Sequence, residues 1–452
     1  MIQLRRITGV LLLTVSFLVA MASRADSEIQ AYTLDALFRM AFSYSEEVKL
    51  AKESVYVAEQ DKERALSVLI PRVSAYGDYL HYSGEKYLGA LLVQPAWSNT
   101  YGVRLDQSFT LNGKELTALE MSKNSIEKER LDLATERETL LIRVAGAYYN
   151  VLKAEKAVEI ATANVKRLKT YKEAVETRLR LGTVTKTDLF RSSAELSGAV
   201  SDRIRIVNLL EYTQSVLTRL TGLSGPFQLD APDLSSRVFP EFDLATLKQE
   251  AYQRRSDLNA LRMERVFAEN QVRFTKGAWW PRIGIEGVWA RPNASHSDLA
   301  PVEDRLWAGI NLQFSLYDGG LRRAELNQSL SMERQAALGI SAFKKQIAIE
   351  VDEAYLNFIT RKNTITALAD QLTFAEENLK AVARQFEFGT ASSIEVVDAN
   401  TLLVTAERKL AEAVLESHLA LIRIERTTGQ LLANVQNRLD LPTENRQPAF
   451  EE

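Results

Sequence analysis

Few residues in this chain have the types and spacing that catalysis needs. The three histidines, His81, His296 and His418, lie far apart, and there is no cysteine. No His-x-x-x-His pair, no glycine-rich phosphate loop and no nucleophile spaced to meet a histidine occurs. Enzyme activity, metal sites and cofactors are therefore not expected. What does recur is an acid at a fixed distance from a hydroxyl. Thr185-x-x-Asp188 and Ser392-x-x-Glu395 lie 207 residues apart, and each follows a glycine–threonine pair, Gly182-Thr183 and Gly389-Thr390. Hydroxyl-x-x-acid is the spacing of a capping box, in which the two side chains satisfy orphan N–H groups that open a helix. The preceding glycine suits the left-handed residue that closes a helix. Each copy thus reads as the tip of a helical hairpin.

Two long hairpins need long helices, and the periodicity supplies them. Apolar residues recur at helical spacing over 34–69, until Pro71. A period of two follows. Val73, Ala75, Gly77 and Tyr79 share one face, and Arg72, Ser74, Tyr76 and Asp78 the other. After an expected loop over 83–100, Tyr101, Val103, Leu105 and Phe109 alternate with Gly102, Arg104, Asp106, Ser108 and Thr110; Gln107 breaks the apolar face. Asn112-Gly113 then opens a helix predicted to run to about Leu181, on the order of 100 Å. A second helix returns to Thr221-Gly222. Residues 223–242, with Pro226, Pro232 and Pro240, read as a linker.

The chain then repeats itself. Displaced by 210 residues, Ala41 falls on Ala251, Pro71 on Pro281, Arg72 on Arg282 and Gly77 on Gly287. Displaced by 207, Ala147-Tyr148-x-Asn150 falls on Ala354-Tyr355-x-Asn357. The second pair of strands covers 282–316. Ile283, Ile285, Gly287 and Trp289 are apolar on one, and Leu306, Ala308, Ile310, Leu312, Phe314 and Leu316 on the other. The expected organisation is a first repeat over 26–222 (β-hairpin 72–110, helical hairpin 114–222) and a second over 243–429 (β-hairpin 282–316, helical hairpin 320–429). A polar, irregular tail covers 430–452. Residues 1–25 have the layout of a signal peptide. Arg5 and Arg6 precede an apolar run over 7–20, and cleavage is expected after Ala22 or Ala25. The run is shorter than the ~20 residues of a spanning helix.

Strands of about ten residues that alternate apolar with polar match transmembrane β-strands. Four such strands cannot close, and an open edge in lipid is costly, so the chain should oligomerise. A dimer's eight-stranded barrel would fill with side chains, whereas a trimer's twelve strands leave a lumen. Small and charged inward residues (Gly102, Asp106, Gly309, Asn311) favour the wetter trimer. Trp289 and Trp307, with Tyr79, Tyr82 and Tyr101, lie near strand ends, as an aromatic belt would require. Trp279 and Trp280 read instead as core aromatics. Formal net charge is −3, which gives no reason to expect nucleic acid.

Over essentially its whole mature length the chain resembles the TolC-like outer-membrane efflux channels. The carriers are the duplication, the two tips, Arg255-Ser256-Asp257-Leu258, Trp280-Pro281-Arg282-Ile283 and Leu316-Tyr317-Asp318-Gly319-Gly320. The resemblance implies a mainly α fold with a membrane β-barrel. The protein would be a homotrimer whose twelve-stranded barrel continues as a long α-helical barrel into the periplasm. It implies docking to a periplasmic adaptor protein and an inner-membrane transporter, to export small molecules or secreted protein. It also implies an acidic ring at the periplasmic gate, at Glu395 and Asp398, with Asp188 nearby. Two positions depart from the family. Phe386 stands where a tyrosine, and Ala391 where an arginine, hold the closed state; Glu387 and Arg384 are candidates for a substitute link. The tips, Leu181, Gly182, Thr183, Val184 and Phe388, Gly389, Thr390, Ala391, are the expected adaptor contact. The alternative is a periplasmic adaptor or coiled-coil tether without a pore, which has no need of two pairs of lipid-length strands.

Overall fold

The computed structural model describes residues 31–231, 239–295 and 303–440. The expected signal peptide lies outside them, as do His296, Pro232 and the last part of the tail. Two helices of 67 residues dominate, α3 (Lys114–Arg180) and α7 (Leu321–Glu387). Each returns as a shorter helix, α4 (Lys186–Thr221) and α8 (Ser393–Thr427). No helix among the described residues is long and apolar enough to cross a membrane.

The helices expected before the strands are broken in two. Ser45 separates α1 (Leu34–Tyr44) from α2 (Glu46–Ser67), and its hydroxyl accepts the Val48 N–H at 3.3 Å. Arg255, its counterpart in the second repeat, separates α5 (Leu244–Arg254) from α6 (Ser256–Lys276). The breaks let the short first helices turn onto the long ones. Leu37, Val48, Leu140, Val144, Val151 and Leu217 belong to one core. Leu247, Leu258, Ile347, Val351, Phe358 and Ile424 occupy the corresponding places in the other. Each pair is displaced by 210 or 207 residues, so the duplication extends into the packing.

Four strands form one antiparallel sheet in the order β2 (Arg72–His81), β5 (Trp97–Thr110), β7 (Arg282–Ala294), β8 (Arg305–Gln313). The two expected hairpins are joined through β5 and β7, with Gly102 opposite Ala290 and Asp106 opposite Glu286. In register across the sheet, Val73, Leu105, Gly287 and Ala308 share the apolar face, and Arg72, Asp106, Glu286 and Gly309 the polar one. Val73, Tyr79, Leu306, Ile310 and Leu312 are exposed on the apolar side. The exception, Gln107, is satisfied by donating to the Val68 carbonyl at 3.1 Å. On the polar side Arg104 pairs with Glu286 at 3.0 Å.

Several expectations need correction. The loop over 83–100 contains a small hairpin, β3 (Lys86–Leu88) with β4 (Leu91–Gln94), and the first residues of β5. The fourth strand stops at Gln313, not 316, because its last partner is Arg282 and Pro281 has no N–H to continue the ladder. Trp307 lies in register with Val288 and Arg104, on the polar face rather than in a lipid-facing belt. Trp279 and Trp280 are about half exposed in the protomer, not core. Within the linker, β6 (Gln228–Leu229) pairs in parallel with β1 (Ala31–Tyr32). The tail opens as helix α9 (Leu431–Leu439), because Leu431, Leu432, Val435 and Leu439 fall on one face and enter the first core.

Candidate functional site

The tips are built by backbone first. α3 ends with Gly182 at φ 74° and α7 with Gly389 at φ 77°. At each, the glycine N–H and the next N–H fold back onto the last turn: Gly182 to Leu179 O and Thr183 to Arg178 O, both at 3.0 Å; Gly389 to Phe386 O at 3.1 Å and Thr390 to Gln385 O at 2.9 Å. This is the Schellman closure, which uses carbonyls the helix would otherwise leave orphaned. Both following helices open with a reciprocal capping box. Asp188 accepts the Thr185 N–H at 2.9 Å while the Thr185 hydroxyl accepts the Asp188 N–H at 3.3 Å. Glu395 accepts the Ser392 N–H at 2.6 Å and the Ser392 hydroxyl accepts the Glu395 N–H at 3.4 Å. The Ser392 N–H, and then its hydroxyl, hold the Glu395 carboxyl below the usual carboxylate range. Asp188 and Glu395 therefore both serve helix starts.

Asp398 differs. It lies one turn further along α8, exposed, and makes no hydrogen bond or ion pair among the described residues. Nothing in the protomer's own folding uses its charge. Leu181, Gly182, Thr183, Phe388, Gly389 and Thr390 are exposed at the tips. Val184 and Ala391 sit behind them, half-buried against Val175, Phe386 and Val396.

Phe386 is buried in that cluster, its ring 5.3 Å from the Tyr171 ring. Within one chain Arg384 and Glu387 form no ion pair with each other. A different residue joins the tips. The Arg178 guanidinium, on the last turns of α3, donates to the main-chain carbonyls of Phe386 and Glu387 and lies 4.7 Å over the Phe386 ring. Nearby, the Tyr171 hydroxyl donates to Ser393 Oγ at 2.8 Å. Reading the sequence did not find Arg178 or Tyr171. Their only signal is a seven-residue step, which looks like an ordinary solvated stripe until the end of α3 is known to meet α7 and α8.

No group of three or more histidine, aspartate or glutamate side chains among the described residues is arranged to hold a metal ion. His418 is half-buried between the rings of Tyr149 and Phe239.

The family model described as outer membrane efflux protein matches residues 40–225 and 247–430. The outer membrane protein TolC of Escherichia coli K12 is 22% identical over 427 residues, covering 91% of this chain and 85% of that protein. The pyoverdine export outer membrane protein OpmQ of Pseudomonas aeruginosa is 24% identical over 396 residues, covering 83% of this chain and 78% of that protein. Among solved structures, the outer membrane protein VceC of Vibrio cholerae superposes with a TM-score of 0.77 at 15% identity, covering 88% of this chain and 96% of that one.

Proposed function

The chain belongs to the outer membrane efflux protein family, and on that premise we propose that three copies form one export duct. A twelve-stranded barrel would lie in the outer membrane and an α-helical barrel would continue it through the periplasm. The protein is a transport component of the outer membrane, not an enzyme.

The observation that carries the trimer is the open sheet. Among the described residues β2 and β8 each pair on one side only, beside a face of exposed apolar side chains that includes Leu306, Ile310 and Leu312. In lipid, each unpaired backbone group costs several kcal/mol. Pairing β8 of one protomer with β2 of the next removes both edges, and three protomers leave a lumen bordered by Arg72, Asp106 and Glu286. The helices follow the same logic. α4 leaves Val200, Ile204 and Tyr212 exposed, and α7 leaves Leu338, Ile349 and Phe374 exposed. These faces meet when the helices of neighbouring protomers close a ring.

The periplasmic gate lies where the tips converge. Asp398 and Glu395 from three chains bring six carboxylates around one opening, with Asp188 beside them and the apolar cluster that holds Phe386 and Ala391 behind them. Crowded carboxylates favour cations. The exposed tips are offered to the helical hairpins of a periplasmic adaptor, which links the duct to an inner-membrane transporter. Small molecules or secreted proteins are the cargo class. Residues 1–25 act as the signal peptide, and 26–222 and 243–429 as the two repeats.

Conductance of the purified protein in a planar bilayer tests the reading. Asp398→Ala should weaken block by divalent cations and lower cation selectivity without delaying folding. Recovery of the chain in the soluble periplasm, or absence of any conductance, would sink it.

A further inference from the structure

The two helical hairpins are held internally by long apolar contacts, such as Ala375, Leu403 and Ala406 between α7 and α8. The seam between the hairpins, α3 against α8, is different in kind. Asn164, Tyr171 and Arg178 follow one another at seven-residue steps on α3. Ser393, Asn400 and Glu407 do so on α8. Together they make a ladder of polar rungs. Asn400 Nδ2 donates to Asn164 Oδ1 at 2.8 Å, and the Tyr171 hydroxyl to Ser393 Oγ at 2.8 Å. Arg167 grips Glu407 with both terminal nitrogens at 3.2 and 3.1 Å, and its Nε reaches Asn400 Oδ1 at 3.3 Å. Polar groups in a coiled-coil seam cost stability but fix register. Between them lies only the small apolar cluster of Val175, Phe386 and Val396, and water can replace each polar bond that is lost.

Arg178 is the last rung, at the end of the hairpins farthest from the two cores. It bonds main-chain oxygens, not a side chain. Phe386 O, which also accepts the Gly389 N–H, and Glu387 O belong to the final turn of α7, where carbonyls lack an i+4 partner and the helix dipole is negative. A guanidinium suits that place because its fixed fork reaches two oxygens at once. The contact therefore fixes where α7 ends relative to α3, and with it where the second tip stands. We propose that Arg178, seconded by Tyr171, is the positioning residue that sets the second tip against the first and so determines the width of the periplasmic mouth. This rests on the reading of the chain as a duct.

The absence of cysteine allows a direct test. Leu181→Cys and Phe388→Cys, both at exposed positions, place one spin label on each tip. Labelled chains are diluted into trimers with unlabelled ones. Pulsed electron paramagnetic resonance should give one narrow tip-to-tip distance in the otherwise native chain. Arg178→Ala should add a longer population, shifting the equilibrium about tenfold, the scale of one charged hydrogen bond. Tyr171→Phe should do so less, and Arg178→Lys should restore most of the short distance by keeping a cation on the helix end. Single-channel conductance should rise in the same order, with the melting midpoint unchanged. An unaltered distance distribution in Arg178→Ala overturns the proposal. So does a midpoint that falls in step with the distance change, which would mark Arg178 as a packing residue. Absence of conductance from the native chain with the distances behaving as stated would instead refute the duct.

Discussion

Glu138 offers a quantitative test of the packing. It lies on α3, only 5% exposed, and makes no hydrogen bond or ion pair among the described residues. Burial pushes its carboxyl up to about 7 from 4.5. Arg426 pulls it down, Asp257 pushes it up and Arg255 pulls it down, each by less. A carboxyl whose pKa is raised on folding penalises the fold once ionised. The penalty is small below the unfolded value, grows as pH rises from about 4.5 to about 7, and is constant above. At about 1.4 kcal/mol per unit it reaches about 3 kcal/mol at pH 8 and stays under about 1 kcal/mol at pH 5. Glu138→Gln keeps the shape and removes the charge, but its buried amide without partners returns about 1–2 kcal/mol of cost. The variant should then melt above wild type at pH 8 and at or below it at pH 5. The two profiles of thermal midpoint against pH should cross. Parallel profiles would refute the reasoning, because they would mean that the carboxylate is ionised and partnered in the assembled protein.

Two further predictions concern the same framework. Arg255 is 2% exposed and bonds Asp257 at 3.0 and 2.7 Å and Glu350 at 2.6 Å; Arg255→Met should cost about 1–3 kcal/mol by leaving two half-buried carboxylates without their cation. Burial raises the Asp257 carboxyl, but the hydrogen bonds and charge of Arg255 prevail and hold it below the usual range. Its contribution is therefore present at neutral pH and lost on acidification, and the midpoint deficit of Arg255→Met should shrink as pH falls. Gly389 and Gly429 both have positive φ, 77° and 73°, yet a Cβ at Gly389 meets open space while one at Gly429 comes within 2.8 Å of the Arg254 and Arg255 backbone. Gly389→Ala should cost roughly 1–2 kcal/mol in left-handed strain alone, whereas Gly429→Ala should markedly lower the yield of folded protein; equal effects would contradict the contact.

What could be read from the sequence was whatever leaves a local period. The strands alternate over ten residues, the long helices lack proline, and hydroxyl-x-x-acid after glycine is a spacing that only a helix start uses. What escaped was set by tertiary partners. The apolar period runs through Ser45 and Arg255 without interruption, so neither break is visible until the short helices are seen to turn onto α3 and α7. Four apolar residues in a polar tail do not announce α9, yet Leu431 and Val435 complete a core formed more than two hundred residues earlier. The pairing of β5 with β7 spans the two repeats, and no turn signal marks it. Arg178 and Tyr171 belong to the same class, because their partners lie more than two hundred residues away.

The duplication itself separates what a tip needs from what this chain does with it. Displaced by 207 residues, Gly182 falls on Gly389, Thr185 on Ser392 and Asp188 on Glu395. Each pair keeps the residue chemistry that closes one helix and opens the next. The residues that face another element are not kept. Arg178 falls on Gln385, Tyr171 on Asn378 and Asp398 on Arg191. A tip folds equally well with either member of these pairs, since none of them takes part in the Schellman closure or the capping box through its side chain. The divergence therefore tracks position in the assembled hairpins. The first tip supplies the donors, Arg178 and Tyr171, and the second supplies the acceptors, the end of α7 and Ser393. Asp398, an acid without a partner among the described residues, stands where the first tip has a base. An asymmetric clasp between two otherwise equivalent tips follows. The cap acids, present in both, are the less specific markers of gating; Asp398 and Arg178, each present in one tip only, are where substitution should change conductance without first changing the fold.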